Sequence, residues 1–258
     1  MNTRHFPLFS AFFAFALAPA SAFSADLGIG AKPEPGAEVL LDGTRETLDA
    51  KWTYWEGPRF SSSLPIKWQI VDDPVDAGTV VQTSDPAAAG GKYGAADIVT
   101  KKAYRDFRLH IEFLVNNPKG NSGVYLQNRY EIQICDADAT THGMGAVINE
   151  TPSPYYLYRG LQTWNAYDIV FRAARFQDGK RVEPAQVTLY FNGVKVHQNQ
   201  PIQQVWGGPN SGLDGGNDKG RGITDVPGPL KLQAEGHDVR YRNAWIKELD
   251  LADRGTNF

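Results

Sequence analysis

A period of two constrains this chain more than any other feature. Phe107, Leu109, Ile111, Phe113 and Val115 alternate with Arg108, His110, Glu112 and Leu114. That spacing sends successive side chains to opposite faces of a β-strand and fits no helix. Tyr130, Ile132 and Ile134 alternate with Glu131, Gln133 and Cys135 in the same way, and Tyr167, Ile169 and Phe171 with Asp168, Val170 and Arg172. Val187, Leu189 and Phe191 lead into Asn192-Gly193, a two-residue hairpin signal, and Val194–Gln198 returns. Leu230, Leu232 and Ala234 alternate with Lys231, Gln233 and Glu235. Shorter strands are expected at Ile66–Val71 and Thr79–Thr83. No amphipathic run exceeds two helical turns, and no strand–helix–strand rhythm occurs. The pattern predicts an all-β, antiparallel β-sandwich or jelly roll, with its core between two sheets and its outer faces free.

The first residues are of another kind. Arg4 precedes the apolar run Phe6–Leu17, and Ala20-Ser21-Ala22 offers a small-residue cleavage site. Residues 1–22 therefore read as an export signal, which places the mature protein in the periplasm or outside the cell. Residues 23–37 form a short leader containing AKPEPGA, and residues 38–258 a single domain. The apolar run is shorter than the ~20 residues of a membrane span, and no later stretch approaches that length. One Cys excludes an internal disulfide framework. A net charge of −3 argues against nucleic acid as a partner.

The chain holds no GxSxG elbow, HExxH, phosphate loop or dinucleotide fingerprint. Asp214-Gly215-Gly216-Asn217-Asp218 offers oxygens that suit calcium, without the EF-hand spacing, and reads equally as a solvated loop. It lies in Gly207–Pro229, a Gly- and Pro-rich stretch long enough to be a lid or binding loop. The most informative segment is GNSGVYLQNRYEIQICD, residues 120–136. A glycine turn launches one strand, and Asn128-Arg129 connects it to a second. Glu131 and Gln133 share a face on the second strand, as Tyr125 and Gln127 do on the first. Amides, a carboxylate and an aromatic ring suit sugar hydroxyls and the apolar face of a sugar; a solvated outer face reads the same way. Near the C-terminus, Gln233, Glu235 and His237 share one face if the strand stays regular through Gly236. A carboxylate beside a histidine supports general acid–base work. His142 follows Asp136 closely in a small-residue loop, and Trp164, Asn165 and Arg172 are candidate sugar contacts.

Five stretches in order carry a family resemblance: GNSGVYLQNRYEIQICD, GMGAVINETPSP, WNAYDIVFRAARFQDGK, VTLYFNGVKVHQN and LKLQAEGHDVRYRNAWI. The chain resembles the 3-keto-disaccharide hydrolase-like family across most of residues 106–251. The resemblance implies a concanavalin A-like jelly roll of the glucanase type that binds an oligosaccharide or glycoside and cleaves glycosides oxidised at C3. Some members carry His where this chain has Glu235, which leaves that position's role open. A C3 ketone acidifies the C2 proton, so the group at C1 can leave by elimination before water adds. Such a site needs a base, for which Glu131 and His237 are candidates. It needs an electrophile for the C3 oxyanion, from Arg129, His142 or a divalent cation. It also needs an acid for the leaving oxygen, from Glu235 or Asp136, either of which could instead help ligate that cation. Two other readings stand beside this one. A retaining glycosidase needs a second carboxylate about 5–5.5 Å from the first, where the strand offers Gln133 after Glu131. A lectin-like binding module uses the same aromatics and amides.

Overall fold

The computed structural model describes Met1 and residues 26–55, 65–85, 87, 94–136, 140–205, 223–235, 238–252 and 255–256. Residues 2–22 of the stretch read as an export signal, the Asp214–Asp218 run and His237 lie outside the described residues, as does most of Gly207–Pro229.

Two antiparallel sheets make the sandwich. The larger contains β1 (Glu38–Leu41), β3 (Gln69–Asp72), β4 (Thr79–Gln82), β6 (Phe107–Val115), β9 (Asn165–Arg172), β12 (Ala185–Phe191), β13 (Val194–Ile202) and β15 (Val239–Glu248). Its order is β13-β12-β9-β6-β15-β4-β3, and β1 also pairs with β15. The smaller sheet runs β2 (Trp52–Tyr54), β5 (Ile98–Thr100), β14 (Lys231–Leu232), β7 (Asn121–Leu126) and β8 (Tyr130–Cys135). A separate hairpin joins β10 (Arg175–Gln177) to β11 (Lys180–Glu183), and among the described residues one α-helix, α1 (Arg45–Lys51), is capped at its N-terminus by Thr44. The expected Asn192-Gly193 hairpin closes with Phe191 opposite Val194.

Alternation supplies the core. Phe107, Leu109, Ile111 and Phe113 face inward with Tyr167, Ile169 and Phe171, and meet Val124, Tyr130, Ile132, Ile134 and Leu232 of the smaller sheet. The Tyr130 and Phe171 ring centroids lie 5.5 Å apart. Two hydroxyls cross the layer: Tyr167 donates to the Gln133 carbonyl at 2.7 Å, and Ser122 and Tyr241 share a hydrogen bond of 2.6 Å.

The outer faces are not free. Arg108, His110, Glu112 and Asp168, polar partners of the alternation, are all buried. Residues 26–34 lie across them. The Gly28 N–H donates to Asp168 at 2.7 Å and the Gly30 N–H to Glu112 at 2.7 Å. Asn243 and Trp245 both donate to the Ala31 carbonyl, and Glu34 pairs with Arg108 and Lys247. His110 bridges the two acids, 2.7 Å from Asp168 and 3.5 Å from Glu112, and stacks on Trp245. A turn closed by the Ala31 N–H on the Gly28 carbonyl aims these N–H groups at the carboxylates, which accept them. The leader is thus a layer of the folded domain.

Burial alone pushes the Glu112 carboxyl up, yet hydrogen bonds from His110, Asn243, the Gly30 N–H and Arg242 outweigh it and hold it at about 2. A group depressed on folding stabilises the protein above its unfolded pKa and loses that contribution as pH falls through the folded value. Glu112→Gln is therefore expected to lower stability by about 2–3 kcal/mol at pH 7 and to flatten the acid limb between about pH 4.5 and 2. Urea titrations at pH 7 and pH 3 check this; equal losses at both pH values contradict it.

Candidate active site

The smaller sheet's register assembles a row of side chains on its outer face. Thr53 pairs with Val99, Val99 with Lys231, Lys231 with Tyr125, and Tyr125 with Glu131. One step along, the Trp55 N–H reaches the Asp97 carbonyl, the Gln233 N–H reaches the Gly123 carbonyl, and Gly123 pairs with Gln133. Side chains in paired positions point the same way. Their neighbours Ile98, Leu232, Val124 and Ile132 fill the core, so Lys231, Tyr125, Glu131, Asp97, Gln233 and Gln133 turn away from it. All six are nonetheless buried. The far edge of β8 is held by a loop: Gly145 and Ala146 exchange backbone hydrogen bonds with Gln133, and the Ile148 N–H reaches the Glu131 carbonyl.

Gly123 makes the room. A Cβ there would stand 2.2 Å from Glu131 Oε1 and 2.9 Å from a Tyr125 ring carbon. The absent side chain is the space in which the carboxyl sits.

Burial pushes the Glu131 carboxyl up to about 8, against a hydrogen bond from Tyr125 and the charge of Lys231, with Glu235 and Asp97 adding to the rise. It is mostly neutral at pH 7. Burial likewise raises Asp97 to about 6, opposed by Lys231 and by the Ala234 N–H at 2.8 Å. Lys231 Nζ lies 3.4 Å from Asp97 Oδ2, 3.8 Å from the centroid of the Tyr125 ring and 4.2 Å from that of Trp55. Glu235 accepts from Asn121 and, at 3.1 Å, from Gln233. Gln133 Oε1 is buried with no hydrogen-bond partner among the described residues. The row offers a carboxyl that titrates near neutrality, a caged cation and an open amide oxygen, which together can move a proton and hold a polar ring. Among the described residues no three His, Cys, Asp or Glu side chains converge on a metal-binding position.

A family profile described as the 3-keto-alpha-glucoside-1,2-lyase-like domain matches residues 36–247. The chain belongs to this family. A solved structure from Parabacteroides distasonis ATCC 8503, provisionally assigned as a glycosyl hydrolase, is similar at a TM-score of 0.64 and 26% identity, over 83% of this chain and 84% of that one. A second from the same organism, with the same provisional assignment, shares the fold at a TM-score of 0.52 and 19% identity, over 83% and 100% of the two chains. No curated protein matches by sequence. The lyase-like domain is thus a jelly-roll sandwich of a carbohydrate-active hydrolase and lyase family.

Of the residues singled out from the sequence, the lyase-like domain brings together Tyr125, Glu131, Gln133, Gln233 and Glu235. Gln127 and Arg129 fall in the turn between β7 and β8, where Gln127 has a φ of 54° and donates to the Tyr104 carbonyl at 3.0 Å. Arg129 donates to Gln127 and to the Val226 carbonyl. Asp136 follows the end of β8, and its charge adds to the burial that raises the Tyr158 hydroxyl. His142 is exposed in the following loop. Trp164, Asn165 and Arg172 belong to the larger sheet's side of the molecule and are not in the row. Trp164 donates to Asp73, Asn165 bonds Thr163 and Asn192, and Arg172 pairs with Glu183. Cys135 is only partly buried. Lys231, Asp97, Trp55, Asn121 and Gly123 were missed as site residues. Lys231 carried a signal, since it shares the alternation of Gln233 and Glu235.

Proposed function

We propose that this protein cleaves glycosides oxidised at C3, by elimination across C1–C2 followed by hydration. The supporting observation is Glu131, a buried carboxyl on the outer face whose pKa is lifted to about 8. A retaining glycosidase needs its nucleophile ionised at working pH, and this carboxyl is mostly neutral there. A proton-transfer group works best with a pKa near the operating pH. Ionised Glu131 is a stronger base than an ordinary carboxylate, and the C2 proton beside a ketone is the proton that needs one.

Glu131 takes the C2 proton, and the bonding pair moves to the C3 oxygen as an enolate. The enolate reforms the ketone and expels the C1 substituent, whose oxygen takes a proton from Glu235 or solvent. The products are a 1,2-unsaturated 3-ketosugar and the free second sugar. Water then adds across the double bond, with Glu131 returning its proton to C2. Gln133, Gln233 and Tyr125 line the ring's position. The export signal read in residues 1–22 fits an enzyme that meets its substrate outside the cytoplasm.

Purified protein is expected to release the second sugar from a 3-keto disaccharide and to leave the unoxidised parent intact. In heavy water the released 3-ketosugar carries deuterium at C2. The rate rises toward alkaline pH with an apparent pKa of about 8. Release from the parent at a similar rate returns the site to ordinary glycoside hydrolysis. Glycan binding without turnover, with or without added divalent metal, makes it a binding module.

A further inference from the structure

We propose that Lys231 is a further catalytic residue of this site: its ammonium group holds the negative charge that forms on the C3 oxygen as the C2 proton leaves, and Asp97 positions it. The inference rests on the elimination reading above.

Lysine is almost never fully buried, yet Lys231 is only 1% exposed on a face turned away from the core. Its contact with Asp97, at 3.4 Å, is longer than a close charge-assisted hydrogen bond of about 2.7–2.9 Å. A buried ion pair is weak evidence of a stabilising role, because apolar replacement is often neutral or better. The surroundings orient the cation instead. The faces of Tyr125 and Trp55 flank Nζ, attracting the charge through their ring quadrupoles while shielding it from water. One Asp97 oxygen is fixed by the Ala234 N–H, which leaves the other aimed at the ammonium. A preorganised charge in a dry site stabilises an oxyanion far more than one in water.

Register puts this cation where the chemistry needs it. Lys231 and Glu131 flank Tyr125 in a single row, so their backbones are two strand spacings apart, about 9.5 Å. Two long side chains from such positions converge on neighbouring atoms of one bound ring. The C2 proton and the C3 oxygen are on adjacent carbons. Glu131 is thereby matched to the proton and Lys231 to the oxygen.

The test uses the purified full chain with a 3-keto disaccharide, following sugar release and the exchange of the C2 proton with heavy water. Lys231→Met is expected to lower kcat for both by about 100-fold or more, with KM changed less than threefold and near-UV circular dichroism retained. Lys231→Arg keeps the charge and recovers part of the rate. Asp97→Asn lowers kcat about tenfold and shifts the pH profile, which loss of packing alone does not do. Should Lys231→Met fail to fold, Lys231→Gln takes its place. Either neutral variant with kcat within threefold of the parent protein overturns the proposal. So does C2 exchange that persists after sugar release is lost, since the lysine then serves the leaving group. If Glu131→Gln is inactive and Lys231→Met is not, the elimination reading stands and only the lysine's role falls. If the parent protein neither exchanges the proton nor releases sugar, the elimination reading falls first.

Discussion

Glu131→Gln is expected to lower kcat/KM for a 3-keto disaccharide about 10³-fold, within the range that proton-transfer groups contribute. The same change is expected to stabilise the protein at alkaline pH. In the folded chain burial keeps Glu131 protonated up to about pH 8, whereas an unfolded glutamate loses its proton near 4.5. Between those values the unfolded state binds fewer protons, so stability falls as pH rises. The ceiling on that loss is about 4–5 kcal/mol, lowered in practice by water entry and local rearrangement. Gln carries no such slope. Thermal unfolding at pH 8.5 is expected to show the variant melting about 5 °C or more above the parent, with the gap closing at pH 5. Equal pH slopes in the two proteins contradict the raised pKa. Near-normal turnover contradicts the catalytic role.

A second large effect comes from one methyl group. Gly123→Ala is expected to cut kcat about 100-fold, because its Cβ claims the space 2.2 Å from Glu131 Oε1. Misplacing a reacting group by about 1 Å has consequences of that size. Gly123 is not among the glycines with positive φ, so alanine fits its backbone conformation and the damage stays with the carboxyl and the Tyr125 ring. The pair is expected to be strongly non-additive. Added to Glu131→Gln, the glycine change costs little further activity, since the group it displaces no longer acts. A full 100-fold further loss in the double variant shows that Gly123 matters for another reason.

Much of the fold was legible because side-chain alternation is a local property. Phe107 to Val115 needed no partner to be read as a strand, and the Asn192-Gly193 turn announced its hairpin. What covers the sheets was not legible. Arg108, His110, Glu112 and Asp168 look like solvent-facing residues from the sequence alone. They are polar because residues 26–34 present complementary groups to them: the Gly28 and Gly30 N–H groups to Asp168 and Glu112, and the Asp26 carbonyl and Glu34 to Arg108. Nothing in residues 26–34 advertises that docking. The candidate site divides in the same way. Glu131 and Gln133 stood out on their own strand. Lys231 and Asp97 join them only through the pairing of β14 with β5 and β7, which links segments more than a hundred residues apart. Gln127 shows the opposite error, alternation carried one step beyond Leu126 into a turn.

The place of β15 bears on how this chain reaches its structure. That C-terminal strand pairs with β1, β4 and β6, and its Asn243 and Trp245 hold the leader's Ala31 carbonyl more than 200 residues away. Non-local pairing of this kind slows folding, because long loops must close before any contact rewards them. As the chain is synthesised, β1 and one edge of β6 wait unpaired until residues 239–248 have been made, and unpaired edges are prone to aggregate. Hairpins such as β7–β8 and β12–β13 can form in order, but the larger sheet cannot close before β15 is made. Removing residues 239–258 therefore leaves β1, β4 and β6 without the strand that joins them, and leaves the leader's polar contacts to Arg108, Glu112 and Asp168.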